Sequence, residues 1–71
     1  MTFSRHARNR MRHLRVTPAD IEAIVGQPER SDVDDSGKVR HYGIAGNGRR
    51  IRIVLASENP DHVVSVHERR R

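Results

Sequence analysis

The sequence predicts an α+β domain: two N-terminal helices packed on one face of a four-stranded antiparallel β-meander. Three observations predict it. Apolar side chains recur at helical spacing through the first third of the chain. A capping sequence and a Gly/Pro stop bracket the second helical stretch. Beyond Pro28 the period drops to two, and turn residues divide the chain into short runs.

Ser4 can cap the first helix, and neither Gly nor Pro follows until Pro18. Phe3, Ala7, Met11 and Leu14 fall on one helical face, which places the helix over residues 4–14. His6, Arg10 and His13 form the neighbouring stripe, and Arg5, Arg8, Arg12 and Arg15 cover the rest. Thr17-Pro18-Ala19-Asp20 opens the second helix, with Thr17 as N-cap, Pro18 at N1 and Asp20 at N3. Ile21, Ile24 and Val25 make its buried face, Gly26 stands at C′, and Pro28 prevents continuation.

Residues 29–35 read as a polar edge strand, followed by a Ser36-Gly37 turn. Residues 38–44, 49–55 and 62–67 are the other strands, separated by Ala45-Gly46-Asn47-Gly48 and by a turn at Asn59-Pro60. Alternation puts Ile51, Ile53 and Leu55 on one face, with Arg50, Arg52 and Val54 on the other. By the same rule Tyr42 and Ile44 join the apolar face, opposite Val39 and His41. Val64 and Val66 lie opposite Val63, Ser65 and His67. Residues 1–71 form one domain, with 1–3 and 68–71 as flexible ends.

Composition narrows the function. Hydrophobic residues are 34% of the chain and cysteine is absent, so the core is small and no thiolate zinc site can reinforce it. A core of this size draws support from a partner or a homodimer. No apolar run approaches ~18 residues, and the arginine-bearing N-terminus lacks the apolar stretch of a secretory signal. A cytoplasmic protein without membrane contact is expected. His6 and His13 are ~10 Å apart along a helix, and there is no H-E-x-x-H pattern, so neither metal nor cofactor is expected.

Fourteen Lys and Arg face nine Asp and Glu, and Lys38 is the only lysine. Arginine binds phosphate in a planar fork and stacks on bases, so RNA, free or on the ribosome, is the expected partner. Arg5, Arg8, Arg10, Arg12, Arg49 and Arg50 are the candidate nucleic-acid contacts. The sheet face away from the helices is expected to present His41, Arg50, Arg52, Ser65 and His67 together. A one-sided sheet needs a polar outer face in any case. Two imidazoles beside guanidiniums nevertheless suit RNA cleavage by the adjacent 2′-hydroxyl. That reaction needs a base, an acid and a cation to balance the charge growing on phosphorus. His41 and His67 are the candidate acid–base pair in either order, with Arg52 stabilising the transition state. His6 substitutes for either histidine if the first helix borders that face.

Ser4-Arg5-His6-Ala7-Arg8-Asn9-Arg10-Met11, then Val16-Thr17-Pro18-Ala19-Asp20-Ile21, Pro28 and Tyr42-Gly43, resembles a bacterial family of small domains of unknown function that opens S-x-H-A-x-x-R-M. Its layout is similar to the BrnT and RelE-like toxins within the barnase- and colicin-like nucleases. The resemblance implies a compact metal-independent RNase, an RNA target and an acidic antitoxin partner, with His6 and Arg10 as leading positions on the helix. Leu14 stands where that pattern often has Arg, and Ser65 where it often has Thr. Two other functions fit the same residues: a non-catalytic RNA-binding module, and an interaction subunit that docks a partner strand on the sheet edge.

Overall fold

The computed structural model describes residues 1–70, and Arg71 of the expected flexible end lies outside them. The elements are β1 (Thr2–Phe3), α1 (Arg5–Leu14), α2 (Pro18–Gly26), β2 (Arg30–Val33), β3 (Val39–Ile44), β4 (Arg50–Leu55) and β5 (His62–Glu68). They form a five-stranded sheet in the order β1-β5-β4-β3-β2. This corrects the expected four-stranded antiparallel meander: β1 adds a fifth strand and pairs parallel to β5, so the sheet is mixed. Two residues are too few to show a period, which is why the strand is silent in the sequence pattern.

Backbone bonds fix that added strand from both ends. Thr2 N–H donates to Asp61 O at 2.8 Å, and Ser4 N–H to Val63 O at 2.9 Å. Ser4 then caps α1, accepting from Ala7 N–H at 3.0 Å while its hydroxyl donates to Val64 O at 2.6 Å. The helix therefore leaves the sheet edge without a loop and lies along β5.

α1 ends with Arg15 in the left-handed region at φ 57°, and Val16 N–H reaches back to Met11 O at 2.9 Å. The Asn47 amide donates to Leu14 O and Arg15 O, so the β3–β4 loop closes the helix end. α2 carries the expected capping box between Thr17 and Asp20. It runs two residues past the expected stop: Gly26, expected at C′, is helical and Gln27 is the C-cap, immediately before Pro28. Asp20 also accepts from Gly46 N–H at 3.1 Å. The Thr17 and Gly46 amides hold its carboxyl below the usual carboxylate range.

The core lies on one face of the sheet. Ile51, Ile53, Leu55, Val63 and Val66 meet Ala7, Met11, Leu14, Val16, Ile21 and Ile24 there. Gly43 allows the approach of α2, since a Cβ on it would stand 2.8 Å from Ile24 Cγ2. The pairing passes from Val54↔Ser65 to Leu55↔Val63, so Val64 is the extra residue of a bulge. Val63 and Val66 consequently share the core, and the expected pairing of Val64 with Val66 does not hold. Among the described residues, no helix is long and apolar enough to cross a membrane.

Candidate anion-binding site

Register decides what the uncovered face presents, because residues directly opposite one another share a face. Arg30 pairs with Tyr42, Tyr42 with Arg52, and Arg52 with His67. These four residues form one row across β2, β3, β4 and β5. Asp32, Arg40, Val54 and Ser65 form the next row. On the other side lie Ile44 and Arg50, with Arg69 N–H bonded to Arg50 O at 2.7 Å.

Tyr42 lies on this face and not in the main core. It is 5% exposed because arginines cover it. Arg30 Cζ stands 4.2 Å and Arg69 Cζ 4.9 Å from its ring centroid. Its hydroxyl donates to Asp32, which also pairs with Arg40 at 2.6 Å. Hydrogen bonding from Arg40, above all, holds the Asp32 carboxyl low.

α1 completes the site from the side. Ala7, Met11 and Leu14 face the core. His6 and Arg10, one turn apart on the adjoining stripe, therefore run along the β5 edge. The His6 and His67 rings lie 6.2 Å apart between centroids, tilted by 53°. Ser65 Oγ is 3.1 Å from His67 Nε2. Burial, and then the charges of Arg52, Arg10 and His6, push the His67 imidazole below its ordinary value of 6.5.

The Nε atoms of Arg10 and Arg52 are buried and have no hydrogen-bond partner among the described residues. Buried guanidinium donors that are left unpaired are costly. Here both belong to one cluster of like charge. An oxyanion seated among His6, Arg10, Arg52 and His67 would supply the missing acceptors and the missing negative charge.

Other expected positions fall elsewhere. His41 does not join the cluster: it pairs with Ile53, so it lies on the helix-covered side, with Nδ1 2.6 Å from Ser31 Oγ. The expectation that His41, His67 and Arg52 emerge together is therefore corrected, with His6 in the place of His41. Arg49 pairs with Glu68 at 3.0 Å. Arg50 is exposed on the open face, and Arg5, Arg8 and Arg12 are exposed on α1.

Sequence reasoning passed over Arg30, Tyr42 and Arg69 as parts of this face. The signal that finds them is cross-strand register, which depends on which residues close each hairpin. A shallow groove of about 190 Å³ lies elsewhere, against α2 and β3, lined by Ala23, Ile24, Gln27, Glu29, Gly43 and Ile44. It holds no cation, so the charge cluster and not the concavity is the better candidate. Among the described residues, no group of three or more His, Cys, Asp or Glu side chains is placed to hold a metal ion. Comparisons with protein-family models, with curated proteins and with solved structures find no match.

Proposed function

We propose that this chain is a metal-independent endoribonuclease acting in the cytoplasm, with His6 and His67 as its acid–base pair. The observation that carries the reading is the facing of these two imidazoles at 6.2 Å, flanked by the unpaired guanidinium donors of Arg10 and Arg52. In-line attack puts the entering and leaving oxygens on opposite sides of phosphorus. An acid and a base must then reach one phosphate from opposite sides, a role that two rings 6.2 Å apart suit.

His67 is the base, because burial, and then the cations around it, favour the neutral imidazole. It takes the proton of the 2′-hydroxyl as that oxygen bonds to phosphorus. The P–O5′ bond breaks, and His6 donates its proton to the departing oxygen. The products are a 2′,3′-cyclic phosphate and a free 5′-hydroxyl. Arg10 and Arg52 bind the nonbridging oxygens and balance the charge that builds there. Ser65 orients the His67 ring. The exposed Arg5, Arg8 and Arg12 of α1 give the RNA backbone a cationic approach. The S-x-H-A-x-x-R-M resemblance supports the same reading and adds a toxin role restrained by an acidic antitoxin.

The test is cleavage of an oligodeoxynucleotide that contains a single ribonucleotide. Cleavage in the presence of a chelator should leave a 2′,3′-cyclic end. His67→Ala and His6→Ala should each lower the rate about 10²–10⁴-fold. RNA that binds with a steep salt dependence and stays intact would contradict catalysis and leave a binding module.

A further inference from the structure

We infer that the Arg30–Tyr42–Arg69 stack is a nucleobase subsite, which receives the base next to the phosphate held by His6, Arg10, Arg52 and His67. The inference rests on the proposed placing of an RNA phosphate in that cluster. It names what the rest of the face does with the same strand.

The stack and the phosphate cluster belong to one row. Tyr42 is directly opposite Arg52, and Arg52 is directly opposite His67. Two strand spacings separate Tyr42 from His67, about 10 Å across the sheet. That distance suits a nucleotide that lies along the row, with its phosphate at β5 and its base over β3. A chain crossing the strands in this direction meets His67, Arg52, Tyr42 and Arg30 in turn, and the Asp32 carboxylate of the next row is paired with Arg40.

The chemistry of the stack fits a base. Arg30 is exposed and lies over the Tyr42 ring at 4.2 Å. Arg69 lies over the ring at 4.9 Å. A flat cation on an aromatic ring offers a further flat surface to a base, and every base has a π-face to put on it. The layer accordingly grips a base without reading its hydrogen-bonding edge. The Tyr42–Asp32–Arg40 bonds fix the ring beneath it.

The subsite is tested with a 2′-O-methyl tetranucleotide, which cannot be cleaved, carrying an abasic residue at each position in turn. Binding is read by fluorescence anisotropy. One abasic position should weaken binding about 10-fold, and it should adjoin the bond cut in the matching ribo-oligonucleotide. Tyr42→Phe should keep that ratio. Tyr42→Leu should bring it close to one. Because Tyr42→Leu could also unfold the sheet, the exposed Arg30→Gln change, combined with Arg69→Gln, is measured beside it and should lower the ratio as well. Equal affinity for intact and abasic oligonucleotides, or a ratio that survives both Tyr42→Leu and the double arginine change, would overturn the subsite. Base-dependent binding without cleavage of the ribo-oligonucleotide supports the subsite and overturns the nuclease. Cleavage with no base dependence does the reverse.

Discussion

The two faces of this sheet are made by the same strands under opposite rules. Beneath the helices, Ile51, Ile53, Leu55, Val63 and Val66 form a closed apolar layer. On the other side Arg30, Arg40, Arg50, Arg52, Arg69 and His67 crowd together around Tyr42 and Val54. The first face is what folding requires. The second gathers cations, and at its α1 border two guanidinium Nε donors are buried and, among the described residues, unpaired. The proposed polyanion would offset the repulsion that this face adds to a chain with so small a core.

Substitutions on β3 and β4 should separate the two faces. Ile53→Ala should cost about 2–5 kcal/mol in urea unfolding, because its site is wholly closed. Gly43→Ala should cost about 1–3 kcal/mol by forcing Ile24 aside, while activity per folded molecule stays high. Arg52→Gln, one position before Ile53 and on the other face, should not destabilise the free chain and should raise its stability by about 1 kcal/mol, because it removes a buried unpaired donor from a cluster of cations. It should nevertheless abolish most of the stabilisation that added phosphate confers on the native chain. If Arg52→Gln were as damaging to the fold as Ile53→Ala, the division of labour between the faces would fail.

A smaller effect follows from His67. Its folded-state pKa is depressed, so the unfolded chain binds the proton more tightly. Its contribution to stability is full above the ordinary histidine value and is lost as pH falls below it. The melting temperature should therefore decline as pH is lowered from about 7.5 to about 5.5. His67→Gln should flatten the decline, and phosphate should oppose it in the native chain by stabilising the imidazolium. A native slope unchanged by His67→Gln would place its cause elsewhere.

Much of the fold was legible because it is written in local chemistry. The Thr17–Asp20 capping box, the 3.6-residue spacing of Ala7, Met11 and Leu14, and the alternation of β4 each leave a pattern in consecutive residues. What was not legible depends on partners far away in the chain. β1 exists because Thr2 and Phe3 find His62 and Val63. The Val64 bulge changes the face of Val63 without any unusual residue. Arg15 adopts a left-handed conformation that commonly falls to glycine, its carbonyl accepting from the Asn47 amide.

The site was half legible for a related reason. His67 and Arg52 were placed together by alternation, and the register confirms that they adjoin. β3 read backwards. Tyr42 and Ile44 are its conspicuous apolar residues, yet the side that meets the helices is the one with Gly43, where the absence of a side chain makes room for Ile24. His41 shares that side, so the sequence brought forward the wrong second imidazole. The right one, His6, comes from a helix whose position along β5 is set by Ser4 at the sheet edge.

His6, Arg10, Arg52 and His67 are proposed to hold one phosphate together. Titration of the His67 ring by NMR, with and without inorganic phosphate, decides the matter. The expected pKa lies below 6.5 in the free chain and rises markedly once phosphate binds. A His67 pKa at or above 6.5 in the free chain, or one indifferent to phosphate, would contradict it.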